Sequence, residues 1–148
     1  PHFEEIPINM LIEHSVFTLG NSHPLAKINL NLPEDDLVLS TDKEGLYAII
    51  KNLVENGIKY NINIPEINIV LTDEPKPQLI ISDNGVGIPD GDKTKIFNKF
   101  YRIGNEDTRK TKGTGLGLYI VKEFVAALGA SIEVEDNSPT GTKFIIEF

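Results

Sequence analysis

The chain has 148 residues, 40% of them hydrophobic and 24% charged, which is ordinary for a globular domain and long enough to bury a sizeable core. A formal charge of −8 argues against nonspecific binding to nucleic acid or to an anionic membrane, and the lack of cysteine excludes a disulfide framework or thiolate metal site. No apolar run reaches membrane-span length and no signal peptide is visible. The chain opens at Pro1 without a methionine, so the expectation is a single domain, 1–148, excised from a longer protein.

In chain order, Met10, Leu11, Ile12, Val16, Phe17 and Leu19 predict a short amphipathic helix ending near Gly20. Ile28, Leu30 and Leu32, then Leu37 and Leu39, alternate with polar residues and predict two short strands joined by the acidic turn Glu34-Asp35-Asp36. Asp42 reads as the N-cap of a helix carrying Leu46, Ile49, Ile50, Leu53 and Val54 at helical spacing and running to about Tyr60. Ile67, Ile69 and Leu71 alternate as a strand, and Leu79, Ile80 and Ile81 form the next. A polar stretch over 89–112 has the length of a functional loop. Beyond it, Leu118, Ile120, Val121, Phe124, Val125 and Leu128 predict a helix stopped by Gly129 at C′. Ile132 and Val134, then Phe144, Ile146 and Phe148, close the chain as a hairpin. The expected fold is α+β: a two-layer sandwich with a mixed, mostly antiparallel sheet of about five strands and about three helices on one face.

Four segments carry chemistry. Asn52, Asn56 and Lys59 recur at helical spacing and share a face, and an amide oxygen is a neutral hard ligand suited to Mg²⁺. Asp83 ends an apolar strand and is followed by Gly85 and Gly87; a carboxylate there can accept the exocyclic amine of adenine while glycine lets the backbone approach the base. Ile96 to Arg102 offers Phe97 and Phe100 as loop anchors and Arg102 within reach of phosphate. Gly113-Thr114-Gly115-Leu116-Gly117-Leu118 opens a helix, a ready anion site. The dinucleotide fingerprint is excluded because Leu118 stands where its last glycine belongs, and no Gly-Lys-Ser/Thr of a P-loop occurs. Singly, these are solvated asparagines, an ordinary Asp-Asn-Gly turn, core aromatics and a glycine turn. Together they predict an ATP-binding domain.

The order of the four segments, from about Ile8 to Phe148, resembles the catalytic and ATP-binding domain of two-component sensor histidine kinases. Their superfamily, the Bergerat fold, is shared with type II topoisomerases, heat-shock chaperone ATPases and mismatch-repair ATPases. The resemblance implies that Asn56 holds Mg²⁺, Lys59 contacts phosphate and the Tyr60 ring stacks near adenine. It implies that Asp83 reads the base, helped by Gly85, Gly87 and Ile88. It further implies that Phe97 to Arg102, with Phe100, hinge a long mobile ATP lid over about 89–112. Lys110 and the run Gly113, Thr114, Gly115, Leu116, Gly117 and Leu118 bind phosphate, and Thr142 closes the adenine pocket. Asn52 and Arg102 are the expected catalytic-site residues.

In the hydrolysing branches a glutamate that activates water stands four residues before the metal-binding asparagine. Asn52 occupies that place and cannot act as a base. Glu55 lies about 100° around the helix from Asn56 and points elsewhere. The expected reaction is therefore γ-phosphoryl transfer to a histidine rather than hydrolysis. His2 precedes Phe3, His14 precedes Ser15 and His23 precedes Pro24, so none fits the family's acceptor motif. The expected partners are a separate dimerisation and phosphoacceptor domain of the same parent and, indirectly, a response regulator, with no nucleic-acid or membrane contact by this domain. It is expected to be cytoplasmic and, in isolation, monomeric. A regulatory nucleotide-binding module, a hydrolysing ATPase or a protein-serine kinase of the same superfamily are the alternatives. Gly57 departs from the alanine general in the family. It costs roughly 0.5–1 kcal/mol in mid-helix and either loosens the helix or makes room near the nucleotide.

Overall fold

The computed structural model describes residues 1–104 and 115–148. Its elements are β1 (Glu4–Pro7), α1 (Ile8–Ser22), β2 (Lys27–Asn31), β3 (Val38–Thr41), α2 (Lys43–Lys59), β4 (Glu66–Thr72), β5 (Gln78–Asp83), a 3₁₀ turn (Asp90–Asp92), α3 (Gly117–Ala127), β6 (Ser131–Asp136) and β7 (Thr142–Glu147). A five-stranded sheet has the order β2-β4-β5-β7-β6. Its β2–β4 pair is parallel and the other three are antiparallel. The expected α+β sandwich with a mostly antiparallel sheet is what forms.

The period-2 alternation of the strands decides which sheet face is covered. Register sets Leu79 opposite both Leu71 and Ile146, and Ile81 opposite both Ile69 and Phe144. All six are buried, as are Leu46, Ile49, Ile50, Leu53 and Val54 of α2 in the same core. Each such burial is worth about 1.5–3 kcal/mol relative to exposure. The opposite sheet face carries Asn29 and Asn68, bonded to each other at 3.0 Å across β2 and β4. At the start of α2, Asp42 caps as expected, its Oδ1 accepting from the Gly45 N–H at 3.1 Å.

Helix α1 differs from expectation in its buried face. Met10 and Phe17 are 63% and 70% exposed, while Ile8, Leu11, Ile12, Ser15 and Leu19 form the inward stripe. Apolar content marked the helix, but the angular positions of Met10 and Phe17 fall beside that stripe. The buried Ser15 hydroxyl is satisfied by donating to the Leu11 carbonyl at 2.7 Å.

β2 and β3 do not pair with each other. β2 joins the main sheet, whereas β3 forms a separate two-stranded ribbon with β1, a strand that hydrophobic patterning does not announce. The acidic segment between them instead wraps the start of α1. Pro7 precedes that helix and offers no side-chain cap, so Asp36 Oδ1 accepts from the Asn9 N–H at 3.2 Å. The Asn9 side chain donates to the Pro33 carbonyl at 2.7 Å, and the Ile8 N–H to the Leu37 carbonyl at 2.8 Å.

Helix α3 ends in a Schellman motif: the Gly129 N–H donates to the Ala126 carbonyl and the Ala130 N–H to the Val125 carbonyl, both at 3.0 Å. Gly129 has φ +73° and no atom within 4 Å of where a Cβ would stand. Substituting alanine there meets only the left-handed backbone penalty. Gly129→Ala is expected to lower stability by about 1 kcal/mol, read by chemical denaturation; an unchanged midpoint would contradict this helix end.

Candidate functional site

Asp83 ends β5, flanked by β4 and β7 in the sheet. It is 6% exposed, and its Oδ1 accepts from the Gly85 N–H at 2.8 Å and the Thr142 N–H at 3.2 Å. The Asn137 amide donates to the Asp83 carbonyl at 2.8 Å. Asn84 bonds the other way: its Oδ1 accepts from the Glu66 N–H at 2.9 Å and from Asn61 at 2.6 Å, tying the chain after α2 to the edge of the site. Burial pushes the Asp83 carboxyl above its ordinary pKa, and the two amides partly oppose this.

Above Asp83 opens a cavity of about 530 Å³. Asn52, Asn56, Lys59 and Tyr60 of the α2 face line it, with Asp83, Gly87, Ile88, Arg102, Gly115, Gly117, Leu118 and Thr142. One face of α2 thus meets the end of β5 and the start of α3 in a single space. The Asn52 side-chain amide donates to the Ala48 carbonyl at 2.7 Å, and its Oδ1 lies 3.3 Å from where a Gly117 Cβ would stand. Lys59 Nζ sits 5.5 Å from the centre of the Tyr60 ring.

Gly85, Phe100 and Leu116 do not line the cavity. Gly85 acts from behind, through its N–H to Asp83. A Cβ on it would lie 2.5 Å from the Tyr60 carbonyl oxygen, so only glycine fits. Leu116 is the N-cap of α3 and makes no side-chain cap bond. Phe100 is 64% exposed with φ 65°, and its N–H donates to the Gly115 carbonyl at 3.1 Å. Phe97 is the aromatic that anchors this segment, edge-on to Phe144 with ring centres 6.3 Å apart. Lys110, Gly113 and Thr114, with Arg109, lie outside the described residues.

Ile96 and Tyr101, from the aromatic segment singled out in the sequence, also line the cavity, as do Glu55, Asn61, Ile62, Val86 and Ile103, which were not read as site residues. Glu55 reaches its edge, but its carboxylate oxygens are directed at His23, 3.1 Å away, and Lys51, 3.7 Å away. Ile62 and Val86 are 79% and 61% exposed, an apolar rim that no periodicity marks. Tyr101 is fixed by its hydroxyl donating to Asp92, which raises the pKa of the phenol. Lys93 contacts Asp90 and lies 2.8 Å from Asp136 Oδ1, tying the same segment to β6.

The donor set is one of hard oxygen ligands. Among the described residues no group of three or more His, Cys, Asp or Glu could hold an ion. A neutral Asn56 amide in an otherwise carboxylate-poor cavity fits Mg²⁺, which keeps several waters and takes further oxygens from phosphates.

The raised pKa of Asp83 has a signed consequence. Its ionised form costs stability at neutral pH, and that cost disappears as pH falls through the folded value toward the ordinary carboxylate range. Asp83→Asn is expected to be at least as stable as the unsubstituted chain at about pH 7, its advantage shrinking toward about pH 4. Chemical denaturation across that range checks the sign; an advantage that grows on acidification would contradict it.

Comparisons with known proteins agree with this architecture. The family described as histidine kinase-, DNA gyrase B- and HSP90-like ATPase matches residues 41–148. Sensor protein CiaH of Streptococcus pneumoniae is 39% identical over 108 residues, covering 72% of this chain and 24% of CiaH. Sensor histidine kinase WalK of Bacillus subtilis is 35% identical over 115 residues, covering 76% of this chain and 19% of WalK. The chain thus spans about a quarter or less of these relatives. The nucleotide-free catalytic domain of histidine kinase ThkA is 27% identical with a TM-score of 0.85, covering 100% of this chain and 97% of that one. The chain belongs to the histidine kinase-, DNA gyrase B- and HSP90-like ATPase family, and within it to the catalytic domains of sensor histidine kinases.

Proposed function

We propose that this chain binds Mg-ATP in the cavity above Asp83 and donates the γ-phosphoryl group to a histidine on a separate dimerisation domain of its parent. The observation that carries this reading is the composition of one cavity. A buried carboxylate with one oxygen held by two backbone amides lies beneath the Asn52, Asn56 and Lys59 face of α2, opposite the uncapped start of α3.

In this reading Asp83 accepts the exocyclic amine of adenine, with Gly87, Ile88, Thr142 and the Tyr60 ring around the base. Lys59 and Arg102 take phosphate oxygens. The first N–H groups of α3, approached closely because Gly115 and Gly117 carry no side chain, favour the phosphate charge. Asn56 is the side chain that would hold magnesium, which supplies charge neutralisation on the phosphates when bound. Lys110, Gly113 and Thr114 belong to the same phosphate loop, and 89–112 to a lid. Phosphoryl transfer forms a bond from the acceptor nitrogen to the γ-phosphorus and breaks the bond to the β–γ bridging oxygen. It asks mainly for positioning and charge neutralisation from the protein. Asn52, its amide engaged with Ala48, takes no proton from water, which supports transfer over hydrolysis.

The acceptor then lies on the parent's dimerisation domain, with a response regulator downstream, and this domain works in the cytoplasm. Among the described residues no helix is long and apolar enough to cross a membrane.

Asp83→Asn is expected to weaken ATP binding about 10- to 100-fold by calorimetry, the loss of a hydrogen bond to a charged group; unchanged affinity would reject the adenine assignment. Supplied with the parent's dimerisation domain and γ-labelled ATP, the chain is expected to label a histidine with acid-labile phosphate, while releasing little free phosphate alone. Steady phosphate release by the isolated chain would instead favour a hydrolysing ATPase, and no labelled histidine after prolonged incubation a regulatory module.

A further inference from the structure

Gly57 is buried in α2, between Asn56 and Lys59 of the face that lines the cavity. A Cβ built on it would stand 2.7 Å from Asp83 Cβ, 2.8 Å from Ile67 Cδ1 and 3.1 Å from Asp83 Oδ2. The other helical glycines meet nothing comparable. Gly20 has no atom within 4 Å, Gly45 would come no nearer than 3.2 Å, to Phe124 Cδ1, and Gly117 no nearer than 3.3 Å, to Asn52 Oδ1. A side chain at position 57 would therefore fall directly on Asp83, the buried carboxylate at the bottom of the cavity.

We infer that Gly57 is a positioning residue that sets how deep Asp83 sits against α2, and through it the base discrimination of the site. This rests on the reading of Asp83 as the group that meets the adenine amine.

The argument is which neighbour can give way. Ile67 Cδ1 is a terminal methyl and can rotate aside. Asp83 Cβ is the root of its side chain, and Asp83 pairs with Ile67 in the β4–β5 register. Its Oδ1 is held by the Gly85 and Thr142 amides and its carbonyl by Asn137. Retreat toward the β6–β7 turn is limited by the Gly141 backbone, which packs so close that a Cβ on it would lie 1.9 Å from the Asp83 carbonyl oxygen. A methyl at position 57 is then relieved in one of two ways. Either α2 moves away from β5, carrying Asn56, Lys59 and Tyr60 with it, or the carboxylate turns off its two amides. Both change where Oδ2 meets a base.

The test compares the unsubstituted chain with Gly57→Ala, Gly20→Ala, Asp83→Ala and the double variant Gly57→Ala/Ile67→Val. Calorimetry is run with ATP and with purine riboside triphosphate, which lacks the exocyclic amine. Gly57→Ala is expected to raise the Kd for ATP about three- to tenfold, a partial loss of one charged hydrogen bond, with a smaller change for the analogue. Its preference for ATP over the analogue therefore narrows. Gly20→Ala is expected to raise the Tm and leave both affinities unchanged. The double variant removes Ile67 Cδ1 and is expected to recover stability without recovering the preference, which keeps the test valid should Gly57→Ala alone fold poorly.

The inference is overturned if Gly57→Ala keeps the full preference for ATP, if it weakens both nucleotides equally, or if the double variant restores the preference. Asp83→Ala separates the two levels: if that variant keeps the preference, the base-reading role of Asp83 falls as well.

Discussion

The distance between α2 and the end of β5 governs the geometry of the site. Leu46, Ile49, Ile50, Leu53 and Val54 bury one face of α2 in the same core as Ile67, Ile69, Leu79 and Ile81. Because a helix presents opposite faces at fixed angles, that burial turns Asn52, Asn56 and Lys59 toward the cavity. Because strand residues alternate, the same register that buries Leu79 and Ile81 turns Asp83 inward with them. Hydrophobic packing and the polar constellation are two consequences of one contact.

The carboxylate at that contact is an uncomfortable group to bury. An ionised Asp83 at 6% exposure is tolerated because two backbone amides meet one oxygen. Those amides arrive from different parts of the chain, Gly85 from the turn after β5 and Thr142 from the start of β7. Each approach needs a missing side chain nearby. Gly85 lies against the Tyr60 carbonyl, Gly141 against the Asp83 carbonyl, and Gly57 against the Asp83 side chain. The two amides take Oδ1, and Oδ2 is left facing α2, 3.1 Å from where a Gly57 Cβ would stand.

The long segment after β5 is fastened to the same body at described points. Phe97 packs edge-on to Phe144 of the core, Lys93 reaches Asp136 of β6, and Tyr101 is held by Asp92. The Phe100 N–H and Gly115 carbonyl join across its base. The side of the cavity nearest α3 is therefore lined by residues separated along the chain, Arg102 and Ile103 on one segment and Gly115, Gly117 and Leu118 on another.

Much of this was legible in the residues alone. Periodicity found α2 and α3, with the Asp42 cap and the Gly129 stop, because those signals are local and repeat every turn. Alternation found β4, β6 and β7 because one sheet face is dry, and the apolar run Leu79-Ile80-Ile81 found β5. The order of Asn56, Asp83, the aromatic segment and the glycine run pointed to the family, since each residue type answers a chemical need of one ligand. What patterning missed is nonlocal. Strand β1 is short and pairs only with β3. Asp36 caps a helix nearly thirty residues before it in the chain, and Met10 and Phe17 are apolar yet face outward. Ile62 and Val86 reach the cavity from loops with no period to read. The role of Gly57 was undecided between a loosened helix and added room until packing set its missing Cβ against Asp83. Sequence determined which chemistry the chain carries, because residue type and local spacing are written in it. Tertiary structure alone decided how closely those groups approach, because the 2.7 Å between the Gly57 Cβ position and Asp83 Cβ is set only when the whole core packs.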